Sequence, residues 1–263
     1  MSSIGPAPLV RRLTVVLALP VALVATWWFA SAGSQSFYFP PLQTILQTFL
    51  KLWFSPQAVE KVAPSLARLA IGYLAAALLG IAIGVPVGAS RNLRNVLEPV
   101  LEFLRAIPPP VLVPMLILFT GVGDEMKALV IVFGCIWPVL LNTVAGVRAL
   151  DDVLAEVVRS YRIGGFARLW HFVLPGASPQ IFAGLRQSLS IGIILMVVSE
   201  MFAASNGIGF ALVQYQRTFA IPEMWAGIIL LGVIGIVLSL IFRAIEAWIL
   251  GWYYGLRRSQ RAN

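Results

Sequence analysis

Residues 155–176 read "AEVVRSYRIGGFARLWHFVLPG", a polar, two-part segment in a chain that is otherwise mostly apolar. Arg159, Arg162 and Arg168 stand among apolar neighbours, with Arg148 just upstream. Gly164-Gly165 divides the segment and Leu174-Pro175 closes it. Split at the glycines, it predicts two short amphipathic helices. Val153, Leu154, Val157, Val158 and Tyr161 form the apolar stripe of the first, with Asp151, Asp152 and Arg159 on its other faces. Aspartates in a first turn favour a helix start. Phe166, Leu169, Trp170, Phe172 and Val173 form the apolar side of the second. Pro175 is expected to end it, and Ser178-Pro179 to supply an N-cap and first position for the next span. What such a segment does depends on the side of a membrane on which it lies.

That a membrane is involved follows from composition. Hydrophobic residues make up 59% of the 263 and charged ones 11%, with a mean hydropathy of +0.89. Soluble domains carry about one-quarter charged residues, so this chain could not cover a water-facing surface. The net charge of +8 informs through its distribution, given below, and no nucleic-acid partner is implied. The single cysteine, Cys135, lies in an apolar run, which excludes a disulfide framework or a cysteine-based metal site.

Crossing a bilayer as helix takes about 20 apolar residues. Leu13–Ala32, Leu66–Ala89, Val100–Thr120, Met126–Val147, Ile181–Ala203 and Met224–Leu250 qualify, the third weakly. These runs are continuously apolar rather than alternating, which excludes a strand-built barrel. The expectation is an all-α, polytopic membrane protein with six transmembrane helices. Arg11-Arg12 followed by an apolar stretch and Ala30-Ser31-Ala32 looks like a signal peptide. The stretch is long for one, however, and Trp27-Trp28 sits where an interfacial anchor would, favouring a retained first helix. Arg11, Arg12, Arg91, Arg94, Arg148, Arg159, Arg162, Arg168, Arg257, Arg258 and Arg261 then fall on one side. Only Lys51, Lys61, Lys127 and Arg217 fall on the other. That asymmetry places both termini and the opening segment in the cytoplasm.

Between the first two spans, Pro40 to Phe54 carries Leu42, Ile45, Leu46, Phe49, Leu50 and Trp53 at helical spacing. This is either an interfacial helix on the outer surface or a loop helix packed on the protein. The third span is interrupted by "IPPPVLVP", Ile107 to Pro114, whose prolines remove donors and forbid helix before them. Irregular backbone at membrane depth is tolerated only against protein or a wet cavity, so the break belongs in the interior, near a substrate path. Ionisable residues in spans are expensive. Glu102 with Arg105, and Arg243 with Glu246, are each three apart and can neutralise one another. Glu200 has no partner within four residues and stands out as a buried polar or pathway residue.

The sequence contains no G-x-x-x-x-G-K-[ST], and His171 is its only histidine. No nucleophile–base set can be assembled, so the chain is expected not to be an enzyme. A membrane protein with no engine that displays a docking element inside implies a partner supplying ATP. Apolar anchors would fill a groove on it and charges would set the register.

The segment resembles the E-A-A-x3-G-x9-I-x-L-P signature of permease subunits of bacterial ABC importers, with Glu156 on the Glu and Leu174-Pro175 on the Leu-Pro. Phe39 to Trp252 is similar to the nitrate/sulfonate/taurine branch of these type I importers. The stretches that carry this are Ser65–Gly88, Leu104–Lys127, Trp137–Val147 and "SEMFAASNGIGF" at Ser199–Phe210. Val157 and Val158 replace the two alanines, Phe172 replaces the isoleucine and Arg162 replaces the glycine that ordinarily turns the chain. Either Gly164-Gly165 takes over that turn or the helices are angled differently.

The resemblance implies a permease that works as a pair, as a homodimer, with two cytoplasmic ATP-binding subunits and an extracytoplasmic solute-binding protein. ATP and Mg would sit on the ATPase and no cofactor on this chain. It implies coupling roles for Glu156, Tyr161, Arg162, Gly164, Gly165, Leu174 and Pro175. Arg105, Pro108, Pro109, Asn142 and Glu200 are candidates for the translocation path. The expected layout is a tail and first helix at 1–32, an extracytoplasmic segment at 33–60 and a permease core at 61–250, with its coupling loop at 150–176. A basic tail at 251–263 completes it. The implied solute is a small organic or inorganic anion, with vitamin precursors and aromatic compounds as alternatives. An ion-coupled secondary transporter is the rival from another class; it calls for repeats and several unpaired membrane acids.

Overall fold

The computed structural model describes residues 7–202, 204–253 and 255. Side chains are described from Ala18 onward, Gln57 excepted. The remaining residues, which include most of the basic tail at 251–263, lie outside this description. All regular structure among the described residues is helical: α1 (Ala7–Ser31), α2 (Leu42–Trp53), α3 (Pro56–Ala89) and α4 (Arg91–Arg105) come first. A 3-10 turn (Pro109–Leu112) leads into α5 (Val113–Thr120), then α6 (Asp124–Arg148) and α7 (Asp152–Ser160). A long helix, α8 (Gly165–Phe202), contains a π-helical turn at Leu169–Val173. α9 (Ile208–Arg217) and α10 (Ile221–Ile249) follow.

α3, α6, α8 and α10 are each long and apolar enough to cross a membrane. α4 and the stretch Pro109–Thr120 pass the same test only as a pair, bent by 80°. The break falls at the expected prolines. What the apolar run did not reveal is that α4 starts at Arg91 and is a strongly amphipathic helix with no buried residue. α1 contributes a shorter apolar stretch, Ala18–Ser31, within the described side chains.

The chain divides into two compact units, Met1–Ala58 with Leu212–Leu230, and Val59–Ala211 with Leu231–Asn263. In the first, α2 buries Leu42 and Ile45 while Leu50 stays exposed, so this helix is packed on protein along one edge. The Leu42 N–H donates to Ser31 Oγ at 3.0 Å, and Trp225 Nε1 donates to the Tyr38 carbonyl at 3.1 Å. Trp27 lies 5.8 Å from Trp225, centroid to centroid.

The second unit is built on close approach of helices. Gly72, Ala76, Gly80, Gly84 and Gly88 recur every four residues along one face of α3. A Cβ at Gly72 would stand 2.7 Å from Ile131, at Gly80 2.9 Å from Val139, and at Gly84 2.7 Å from Thr143. Ala76 is fully buried. Small residues at every fourth position let α3 and α6 backbones approach, which is how helices gain packing where lipid is as apolar as the protein. α6 repeats the arrangement towards α8, where a Cβ at Gly184 would meet the Pro138 carbonyl at 2.6 Å. There Ser188 Oγ donates to the Cys135 carbonyl at 2.8 Å and Cys135 Sγ to the Ser188 carbonyl at 3.3 Å. Leu69, Met126, Val130, Ile131, Leu195 and Met196 fill the core between these helices. In α10, Ile236, Leu240 and Trp248 are exposed and apolar, a surface suited to lipid.

Gly→Ala is expected to have opposite signs at two helical positions. Gly84→Ala should destabilise by about 1–3 kcal/mol through overpacking against Thr143. Gly232→Ala, where nothing lies within 4 Å of the added carbon, should stabilise by up to about 1 kcal/mol. Thermal unfolding midpoints of the two variants in detergent measure this, and equal shifts would contradict the stripe.

Candidate functional site

The coupling segment is built from two helix ends. Asp151 caps α7, its Oδ1 accepting the Leu154 N–H at 2.9 Å, and Asp152 occupies the first turn. At the other end the Arg162 N–H donates to the Arg159 carbonyl at 2.9 Å and the Ile163 N–H to the Val158 carbonyl at 3.0 Å. These paired bonds form a Schellman closure, which needs one residue in the left-handed region. That residue is Arg162, at φ 54°. Of the two alternatives left open by the sequence, a turn taken over by Gly164-Gly165 is therefore not the one adopted. Arg162 makes it in person, while Gly165, at φ 57°, makes a second one into α8.

A further correction concerns the prolines. The helix does not stop at Pro175, nor does a new one start at Ser178-Pro179. α8 runs unbroken from Gly165 to Phe202. The π turn at Leu169–Val173 lies directly before Pro175, and such local widening accommodates the displaced hydrogen bond of a helical proline. Val173, Ala177 and Ile181 are buried beside Val147, which anchors this stretch and overrides the proline signal. Leu174 and Pro175 are thus inside a span-bearing helix.

None of the residues of α7 is buried, and all but Ala155 and Val158 are exposed. Val153 (69% exposed), Leu154, Val157 and Tyr161 (77%) present apolar surface, continued by Ile163, Phe166 and Trp170. Phe166 and Trp170 stack at 5.9 Å. Glu156 stands on the same exposed helix. Seven large apolar side chains around one short element make an unfilled docking surface.

The broken span forms the second feature. Pro109 packs on α6 at Gly134, where an added Cβ would lie 3.1 Å from Pro109 Cγ. Arg105 is half exposed and pairs with Glu102 at 2.6 Å, as the spacing indicated. Pro108 is exposed. Asn142 is half-buried, donating to the Pro138 carbonyl at 2.8 Å. Leu104, Ile107, Leu112, Met115, Phe133 and Trp137 help to line a cavity of about 460 Å³ beside the break. Such a wall offers a charged solute nothing.

The third feature surrounds Glu200. Its carboxylate accepts from Ser65 Oγ at 2.7 Å, Arg68 Nη1 at 2.6 Å and the Gly209 N–H at 2.9 Å. Arg68 also donates through Nε to Asp124 Oδ1 at 2.8 Å, through Nη1 to the Asn206 carbonyl at 3.3 Å, and through Nη2 to Asn206 Oδ1. The Ile208 N–H donates to Ser65 Oγ at 2.9 Å. Arg68 is 3% and Glu200 1% exposed. A buried ion pair persists only when its remaining donors and acceptors are met, and here they are. The Gly209 N–H that the carboxylate receives belongs to the start of α9, where negative charge is favoured. Gly207 (φ 110°) and Gly209 are required, because a Cβ at either would lie 2.5 Å from the Glu200 carboxyl carbon or the Val197 carbonyl respectively. That accounts physically for "SNGIG".

Sequence reasoning identified Glu200 but not Arg68, Ser65, Asp124 or Asn206. The available signal was a lone arginine in span two matching a lone glutamate in span five. The local pairing expected of Arg243 and Glu246 is corrected: Glu246 pairs with Arg186, and Arg243 is exposed. Arg186 reaches it because Phe182 and Phe242, at 6.0 Å, hold α8 against α10 in that region.

Several helices long and apolar enough to span, with a short amphipathic element displayed between two of them, define a multi-pass membrane protein. Residues 76–251 match the family described as binding-protein-dependent transport system inner membrane component, and the chain belongs to that family, the permeases of ABC importers. It is 30% identical over 254 residues to the taurine transport system permease protein of Escherichia coli (strain K12), covering 94% of this chain and 92% of that protein. It is 32% identical over 238 residues to a putative aliphatic sulfonates transport permease protein of Bacillus subtilis (strain 168), covering 90% and 86%. A nitrate import permease protein of Synechocystis sp. is 28% identical over 249 residues, covering 92% and 90%. Among solved structures, a chain of the MetNI methionine ABC transporter in inward facing conformations shares the fold at a TM-score of 0.58 and 19% identity. That match covers 74% of this chain and 98% of the other.

Arg162→Gly should stabilise the end of α7 by about 1–2 kcal/mol, the cost of holding a side chain in left-handed conformation. Hydrogen exchange at the Ile163 amide should slow accordingly. Arg162→Val should speed it. Glu200→Ala leaves Arg68 buried without its buried carboxylate partner and is expected to cost about 3–5 kcal/mol, read as loss of folded protein recovered from membranes.

Proposed function

We propose that two copies of this chain form the translocation path of an ATP-driven importer for a small anion, in the plasma membrane with both termini cytoplasmic and six spans per copy. Support for the solute class comes from the relatives, named for taurine, aliphatic sulfonates, nitrate and bicarbonate transport. All four solutes carry an anionic, oxygen-rich group. An extracytoplasmic binding protein would deliver the solute. Two cytoplasmic ATP-binding subunits, holding ATP and Mg, would supply the energy.

The observation that carries this proposal is α7. An uncovered apolar face on a capped, well-closed short helix has no role in a lone permease and fits a groove on a partner. Val153, Leu154, Val157 and Tyr161 act as anchors, and Glu156 sets the register. Arg162, Gly164 and Gly165 fix the angle at which α7 leaves α8, whose Leu174 and Pro175 lie just beyond the π turn. Displacement of α7 when the ATPase pair closes then moves α8 with it. Alternating access follows if that motion opens the path on the other face. Arg105, Pro108, Pro109 and Asn142 flank the break on the path side in this proposal. Glu200 acts on the path through the helices it braces.

Glu156→Lys is the direct test. Truncating one partner of an interfacial charge pair costs about 2–5 kcal/mol, so reversal should weaken retention of the ATPase at least tenfold at normal membrane levels. Normal copurification with normal transport would refute the docking role. Orientation is checked separately in a Cys135→Ala background. An impermeant thiol reagent on intact cells should label Cys substituted at Val122, in the α5–α6 loop, and not at Ser160, in α7. The reverse pattern would invert the topology.

A further inference from the structure

Three arginines without a carboxylate partner line one cavity behind α7. Arg148 is the last residue of α6, Arg159 lies in the last turn of α7 and Arg168 in the first turn of α8. They share a cavity of about 500 Å³, floored by Val147, Leu150 and Val173. The acidic residue in its lining is Asp152. Among the described residues none of the three arginines forms an ion pair. Arg148 also borders a smaller cavity with Glu98 and Glu102, but Glu102 is engaged by Arg105. Gly165, at the start of α8, lines the same cavity, and Gly164 before it gives no side-chain cap. The first N–H groups of a 38-residue helix are therefore left without a side-chain acceptor at the cavity edge, a setting that favours anions.

Docking of an ATPase does not fill this cavity. At 100° per residue, Val153, Leu154, Val157 and Tyr161 lie on one side of α7, and Asp152, Ala155 and Arg159, which line the cavity, lie on the opposite side. Glu156 falls between the two sides, and a partner seated on the apolar face leaves the three arginines, each exposed at the rim of the cavity, on the side away from it. The volume leaves room for a polyatomic anion with part of its hydration shell or the group that carries it, and guanidinium forks match its oxygens.

We propose that this cavity binds an oxyanion of the phosphate or sulfate type, which ties the end of α6 to both helices of the coupling segment. A free anion and the phosphate of an anionic lipid headgroup share that chemistry. The site needs only the folded chain and stands or falls independently of which solute is transported.

The test uses the full chain purified in neutral detergent, with sulfate and inorganic phosphate titrated at constant ionic strength against its thermal unfolding midpoint. The expected result is a saturable rise. Arg159→Gln and Arg168→Gln should each raise the half-saturating concentration about tenfold or more, the loss of one charge-assisted hydrogen-bonding group. Arg159→Lys should recover part of it, and Arg243→Gln should behave as wild type. A second arm compares nanodiscs of phosphatidylglycerol with phosphatidylcholine. Stabilisation by the anionic lipid alone, lost in Arg159→Gln and Arg168→Gln, supports the site and identifies its source as lipid. Responses identical in wild type and both Gln variants in both arms overturn it. So would Gln variants that bind anions normally and instead release the ATPase, which would make the arginines partner contacts. Size-exclusion profiles matching wild type show that the variants are folded.

Discussion

Arg68 and Glu200 are buried together, where neither charge reaches solvent, at the inner end of a network whose Asp124 is exposed. Each charge is tolerable only because the other is there and because Ser65, Asp124, Asn206 and the first N–H groups of α9 complete the shell. Four separated pieces of chain must be in register before that shell closes: the start of α3, the start of α6, the end of α8 and the turn into α9. An apolar core tolerates a helix sliding by a fraction of a turn; this network does not, since a displaced carboxylate would strand a guanidinium. The pair therefore sets helix register in a bundle whose cohesion otherwise comes from unspecific contact.

Cohesion itself comes from the missing side chains of α3. With Gly72, Gly80, Gly84 and Gly88 against Ile131, Val139, Thr143 and Val147, α3 and α6 lie close enough for dispersion contacts along their whole shared length. α6, clasped by α3 on one side and α8 on the other, is the most enclosed of the spans. A rigid centre of this kind confines motion to elements with few buried contacts, namely α4, α5 and α7. These are the parts placed at the broken span and at the coupling segment.

Much of this was legible from the sequence because it depends on spacing. Long apolar runs marked α3, α6, α8 and α10, "IPPPVLVP" marked the break, and the apolar stripe from Val153 to Tyr161 marked α7. Glu102 and Arg105 met because they share a helix face. What was not legible depends on distance between helices. Arg186 chose Glu246 over any neighbour on its own helix, and Arg68 found Glu200 across 132 positions. Pro175 was misread because local proline chemistry predicts an end, whereas burial of Val173, Ala177 and Ile181 outweighs one lost hydrogen bond. Arg162 was a conflict visible in the sequence, but only backbone geometry shows that the arginine accepts the strained conformation rather than passing it to the glycines.

The continuity of α8 changes how the coupling segment can act. Had the helix stopped at Pro175, movement of α7 would be lost in a flexible joint before reaching the membrane. As one helix of 38 residues, about 57 Å long at 1.5 Å per residue, α8 carries the coupling segment at its first residue and Glu200 near its last. The turn held by Arg162 and Gly165 thus joins α7 to a rod whose other end is fixed by the Arg68 network. A push at α7 must either tilt that rod about its contact with α6 or be absorbed in the π turn at Leu169–Val173, the irregular part of the helix. The arginine-lined cavity lies beside that turn, bounded by Leu169, Phe172 and Val173. An anion held there would stiffen that turn, and so favour transmission over absorption.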